Sequence, residues 1–183
     1  MPAGSKEHVV LTADQDGLVN KTTFSKGGIV GFFGKVSQNT QILVNGTKSG
    51  RVLAVSALRN GGTPHPILDL GLVAMSTEDR DKVTALGPHT CIAKLLPEPG
   101  IVRQAPCPAG VREGTVPYLT WLPPAPGEGG KASDPHLAIA WGHTLQIVNV
   151  SLPDGPTPTP VFSQLALLTT TWSFCGIQYL TRY

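Results

Sequence analysis

The sequence predicts an all-β protein, a partial WD40-like β-propeller of about three to four blades that does not close on itself. Three observations predict it. Gly (21) and Pro (17) make up about a fifth of the 183 residues, where about 12% is usual. Punctuation this dense leaves room only for short elements, which strands satisfy more readily than helices. Next, Arg51–Leu58 has Val52, Ala54 and Leu58 on one side and Leu53, Val55 and Ala57 on the other. A ribbon apolar on both sides must be covered on both. Last, hairpins of similar character begin near His8, Gly71 and His136, at intervals of 63 and 65 residues. Repeated antiparallel units are the signature of a propeller.

In chain order, His8–Asp14 is rich in Val, Leu and Thr and runs into the turn signal Asp16-Gly17, from which Leu18–Phe24 returns. Gln41–Val44 is a third run, closed by Asn45-Gly46, and Arg51–Leu58 follows. Leu72–Thr77, the charged turn Glu78-Asp79-Arg80-Asp81 and Lys82–Leu86 read as the second hairpin. Thr90–Leu95 and Val116–Leu122 are further strand candidates. His136–Trp141, a break at Gly142-His143 and Thr144–Leu152 make the third hairpin. Val161–Thr170 and Ser173–Leu180 complete the chain. No segment keeps a 3.6-residue apolar period with a cap before it and a glycine after it, so no helix is expected. Residues 1–183 therefore read as one incomplete propeller region, with looser loops near 98–114, 123–135 and 154–160, where Pro, Gly and charge replace β-formers. A β-sandwich would give similar punctuation.

Charged residues are only 14% of the chain and apolar residues 40%, which excludes a charge-rich disordered tail. Net charge is +2 with no dense Lys/Arg cluster, so nucleic acid is not an expected partner. No apolar run approaches the length of a membrane span, and the N-terminus lacks the apolar stretch of a signal peptide. Cys91, Cys107 and Cys175 are scattered and odd in number; they read as reduced thiols of a cytosolic protein. The triplets at Asn20, Asn45 and Asn149 read as chance glycosylation matches.

The search for chemistry finds little. There is no nucleophile elbow and no P-loop. Gly28, Gly31 and Gly34 have G-x-x-G-x-x-G spacing without a following helix, and read as loop and strand glycines. His8, His65, His89, His136 and His143 have no metal-ligand spacing. Asp14 and Asp16 lack the glycine and distal Glu of a calcium loop and read as turn caps. Glu78, Asp79 and Asp81, interleaved with Arg80 and Lys82, read as a solvated hairpin tip. No catalytic, cofactor or metal site is expected. Trp121 and Trp141 end short apolar strands and are expected in the core, and Trp172 precedes the last strand.

Four stretches resemble the N-terminal propeller of the vacuolar protein sorting-associated protein 8 family. Leu11-Thr12-Ala13-Asp14-Gln15-Asp16-Gly17-Leu18-Val19 is similar to that family's T-x-D-x-x-G-x-V hairpin. Leu72–Thr77 followed by Val83 through Leu86-Gly87-Pro88 is similar to its paired strands. Leu137-Ala138-Ile139-Ala140-Trp141-Gly142 resembles its L-A-x-x-x-G strand, and Ile177-Gln178-Tyr179-Leu180 its I-x-W-L close. Thr120 and Tyr179 depart from the pattern, at positions where L-A-W and Trp are usual. The likeness covers most of the chain.

The resemblance implies a non-catalytic scaffold in an endosomal or vacuolar tethering complex, the CORVET complex. Its implied partners are sister subunits and an endosomal Rab GTPase. Its implied location is cytoplasmic, peripheral on membranes through those partners. No binding residue and no zinc carries over. The rival readings are a generic WD40 adaptor and a propeller- or sandwich-based hydrolase or lyase using His136, His143 and Asp14.

Overall fold

The computed structural model describes residues 7–13, 19–26, 36–44, 51–77, 87–98, 100–155 and 159–178. Eleven strands in these residues form three antiparallel meanders. The first sheet holds β1 (Glu7–Ala13), β2 (Val19–Lys26) and β3 (Val36–Val44) in that order. The second holds β4 (Val52–Ala57), β5 (Val73–Thr77), β6 (His89–Lys94) and β7 (Gly100–Pro106). The third holds β8 (Tyr118–Leu122), β9 (His136–Trp141), β10 (Thr144–Ser151) and β11 (Val161–Thr169). The described residues contain no α-helix, only 3-10 turns at Pro66–Leu70 and Glu128–Gly130. None of their helices is long and apolar enough to cross a membrane.

The second sheet is covered on both faces, and the cause is visible in β5. Its alternate residues Val73 and Met75 join Cys91 and Ala93 of β6 in a cluster that meets Val19 of β2, with Leu11 and Ala13 of β1 packed beside it. The intervening Ala74, with Leu72 and with Ile92 of β6, points the other way. It meets Trp121, Leu137, Ile139, Val148 and Val150 of the third sheet. All five residues of β5 are buried. Each fully buried aliphatic side chain contributes about 1.5–3 kcal/mol, so these two clusters are what hold the three sheets together.

The stack is a fan, not two closed layers. The first strands are neighbours in succession, β1 against β4 and β4 against β8. The Trp121 indole of β8 donates to the Ser56 carbonyl of β4 at 3.0 Å. Towards the outer margin, the Arg103 guanidinium of β7 lies 5.6 Å from the Phe162 ring centroid of β11. Four-stranded meanders arranged around their first strands are propeller blades. The expected all-β, partial propeller is the fold observed, without closure.

Several elements differ from the sequence reading. The stretch 98–114 holds β7, Gly100–Pro106, paired along β6. Pro and Arg disguise it, and both are tolerated on a half-exposed edge strand. A register shift between Ile92 and Ala93 also breaks its alternation, inserting Val102. In β4 a similar shift between Val52 and Ala54 places Val52 with Val55 and Ala57 on the first-sheet side. The strict two-sided assignment of Arg51–Leu58 therefore fails at its start. Both edges of β5 are taken, by β4 and β6. The proposed return strand Lys82–Leu86 lies outside the described residues, as do the turns at 14–18, 45–46 and 78–81. The segment 173–178 forms no strand. Instead the Phe174 amide donates to the Gly142 carbonyl at 2.7 Å, folding the chain over the β9–β10 turn. The repeat also has a different phase. β5 and β9 are equivalent second strands, whereas β1 is a first strand equivalent to β4 and β8.

Candidate interaction surfaces

Among the described residues, the polar side chains singled out in the sequence do not converge. His136 opens β9, and His143 sits in the turn after it, separated by the length of the strand, on the order of 20 Å. The His143 carbonyl accepts from the Thr170 amide at 2.9 Å and the Thr170 hydroxyl at 3.2 Å, and its ring Nδ1 is 3.5 Å from Ser173 Oγ. That is the bonding of a turn residue. His89 is fully buried in β6. Its Nδ1 is 2.9 Å from the Gly87 carbonyl, so that nitrogen carries the proton. The Thr77 hydroxyl lies beside the ring, 3.2 Å from Nδ1 and 3.4 Å from Nε2. His8 pairs with Phe24 in the β1–β2 ladder. Asp14, Asp16, the acidic tip 78–82 and Gly28, Gly31 and Gly34 lie outside the described residues. No group of three His, Cys, Asp or Glu side chains among the described residues could hold a metal ion.

One polar cluster has no signal in the sequence. His65 precedes the 3-10 turn Pro66–Leu70, and its Nδ1 accepts from the Ile67 amide at 3.2 Å. Nε2 therefore carries the proton and faces Asp134 Oδ1 at 3.4 Å. Asp134 Oδ2 in turn accepts from Asn149 Nδ2 at 3.3 Å. The chain of contacts ties the β4–β5 connection to β10 across the second and third sheets. Its members are far apart in sequence, so no local motif could mark them. Asn149 is committed to this contact within a strand, in keeping with the chance reading of its glycosylation triplet.

Trp121 and Trp141 lie in the core as expected, whereas Trp172 precedes no strand among the described residues. Trp121 and Trp141 are buried, and Trp141 Nε1 donates to the Thr115 carbonyl at 2.8 Å. Trp172 is 82% exposed. The cysteines are free thiols. Cys91 is buried, Cys107 half-buried and Cys175 exposed. Burial pushes the Cys107 thiol up to about 11.

Two concave regions stand out among the described residues. The larger, about 920 Å³, opens where β1, β4 and β8 converge. Val10, Val55, Ala57, Thr120 and Trp121 line it, and Arg59 at its mouth is its one charged lining residue. It lies on the inner side of the fan, where the first strands of successive sheets face a common axis. The smaller, about 510 Å³, lies between the 107–115 loop and Trp141 and includes Cys107, Arg112 and Glu113. Neither contains a nucleophile paired with a base. Both are mixed apolar and polar concavities of the kind that receive side chains or short segments of a partner.

Comparison with known proteins adds a family. No curated protein and no solved structure matches the chain significantly. The family described as Vps8 beta-propeller matches residues 3–183, nearly the whole sequence. Three stacked meanders, fanned about their first strands and joined at two apolar interfaces, agree with part of a propeller. The chain belongs to the Vps8 β-propeller family.

Proposed function

We propose that the chain is a non-catalytic protein-binding scaffold of an endosomal or vacuolar tethering complex, docking sister subunits and a Rab GTPase. The observation that carries this reading is the family match over residues 3–183. The geometry supports it in two ways. Among the described residues, His65 is spent on the Ile67 amide and Asp134, and His89 on the Gly87 carbonyl, and no reactive constellation is gathered. The larger concavity, about 920 Å³, has room for side chains or a short segment of a protein partner. Association with membranes then follows from the partners, and the chain works in the cytoplasm on endosomal or vacuolar surfaces. The hydrolase alternative gains no support, since His136 and His143 stand at opposite ends of β9.

Binding of purified endosomal Rab GTPases, in GTP and GDP states, and of purified tethering subunits to the immobilised chain tests the proposal. Saturable binding is expected, and Arg59→Glu at the mouth of the axial cleft is expected to weaken it about tenfold, equivalent to about 1.4 kcal/mol. A folded chain that binds no Rab and no tethering subunit refutes the reading.

A further inference from the structure

The connection that leaves β4 carries a reactive arrangement that the binding reading does not use. Asn60 precedes Gly61 and Gly62, and all three residues are exposed. The Gly62 amide donates to Asn60 Oδ1 at 2.8 Å, which folds the side chain back over the peptide that follows it. The intervening amide, that of Gly61, makes no hydrogen bond among the described residues. Gly61 is also held as glycine by packing. A Cβ there would lie 2.8 Å from Pro123 Cγ and 2.9 Å from Pro123 Cβ. No larger residue at 61 can therefore shield the Asn60 side chain without moving the loop.

We propose that Asn60 is a site of intramolecular deamidation, at which the fold promotes conversion of its carboxamide to a carboxylate. The Gly61 nitrogen, its proton taken by hydroxide, attacks Cγ of Asn60. As the N–Cγ bond forms, negative charge develops on Oδ1, where the Gly62 N–H already points. A donor placed in advance where charge develops stabilises the transition state without reorganisation. The Cγ–Nδ2 bond then breaks, Nδ2 takes a proton from water and leaves as ammonia, and a cyclic succinimide remains. Water opens that ring at either carbonyl, giving aspartate or isoaspartate. Hydroxide and water are the only co-reactants, and exposure of the loop supplies both. The other described asparagines lack the arrangement. Asn20 and Asn39 lie within β2 and β3 and precede Lys21 and Thr40. Asn149 lies within β10, precedes Val150 and spends Nδ2 on Asp134. Conversion of Asn60 takes the net charge of the chain from +2 to +1. It sets the new carboxylate next in sequence to Arg59, the charged residue lining the axial cleft. The isoaspartate form also lengthens the backbone where Gly61 abuts Pro123.

Incubation of the folded 183-residue chain at physiological temperature, with tryptic mass mapping at intervals, tests this. Cleavage after Arg59 and Arg80 places Asn60 on a peptide with no other asparagine and no glutamine, separate from the Asn45-Gly46 pair. That peptide is expected to gain the mass of an amide-to-acid conversion, split between aspartate and isoaspartate forms. The gain is expected to be at least about twofold faster than in the same chain held unfolded in guanidinium chloride, the lower end of what one hydrogen bond contributes. Asn60→Gln, whose longer side chain closes the ring poorly, is expected to leave the peptide unconverted over the same period. An Asn60 that keeps its amide in the folded chain overturns the proposal. So does conversion no faster folded than unfolded, or a glutamine at 60 that converts as fast as the asparagine.

Discussion

Cys107 shows how far a side chain's chemistry depends on a few surrounding atoms. It follows β7, its amide donates to the Pro88 carbonyl at 2.8 Å, and its thiol lines the cavity beside Val111 and Trp141. Burial disfavours the thiolate and raises the pKa from 9.0 to about 11. An acid whose folded pKa is raised supports the fold below its unfolded pKa and loses that contribution as pH climbs through the folded value. The wild-type Tm is therefore expected to fall more steeply between about pH 9 and pH 11 than that of Cys107→Ala; parallel Tm–pH curves would show the thiol to be uninvolved. Thiol labelling at pH 8 is expected to reach exposed Cys175 first and Cys107 slowly, because the thiolate is the reacting species. None of this was legible in the sequence, where three scattered cysteines gave only a redox compartment. The tryptophans were more legible. A large ring at the end of a short apolar strand has few places to go, and Trp121 and Trp141 are in the core as composition and position implied. Their indole partners, the carbonyls of Ser56 and Thr115, are backbone atoms that carry no residue-type signal.

At the scale of elements, turns and bulges set what could be read. The β9–β10 hairpin was read almost to the residue, because Trp141 and Thr144 face each other across a two-residue turn at Gly142-His143. Gly142 takes φ +60°, which the tight hairpin turns require and L-residues rarely adopt. A Cβ there would also lie 3.1 Å from Val111 Cγ2. Gly142→Ala is accordingly expected to destabilise the fold by about 1–2 kcal/mol from backbone conformation alone, with some addition from the crowding. Equilibrium urea unfolding measures it, and an unchanged midpoint would show that the turn relaxes freely. Two of the elements misread in the sequence, β4 and β7, share one physical cause. A register shift inserts a residue, and period-2 alternation is then lost on either side of it. Such shifts lie at Val52/Ala54 and at Ile92/Ala93, against the two strands whose patterns misled, β4 and β7. Ser173–Gln178 misled for another reason. It is apolar enough for a strand, but Thr170 and Phe174 spend their amides on the β9–β10 turn, so the chain crosses the sheet end without joining it.

At the scale of the whole molecule, the three sheets differ in how they are held. The second sheet is clamped from both sides, by Val73, Met75, Cys91 and Ala93 towards the first sheet and by Leu72, Ala74 and Ile92 towards the third. The third shares a large cluster with it, reinforced by the Trp121 hydrogen bond and the His65–Asp134–Asn149 contacts. Among the described side chains of β1 and β2, Val19 is the fully buried aliphatic one, with Leu11 and Ala13 packed beside it. Local opening follows such differences in buried contact. Native-state hydrogen exchange is therefore expected to be slowest in β5 and β6, similar in β9 and β10, and faster in β1 and β2. Two substitutions separate this order from uniform cooperativity. Val19→Ala removes a buried tie between the first and second sheets and should release protection in β1 and β2 while leaving β9 and β10 unchanged. Ile92→Ala opens a cavity between the second and third sheets, costs about 2–5 kcal/mol, and should lower protection in both. Equal loss across all three sheets with Val19→Ala would mean that the sheets unfold as one unit. The hairpin recurrence showed that sheets repeat along the chain. It could not show this gradient, because the number of apolar residues in a strand does not reveal which of its faces meets another sheet.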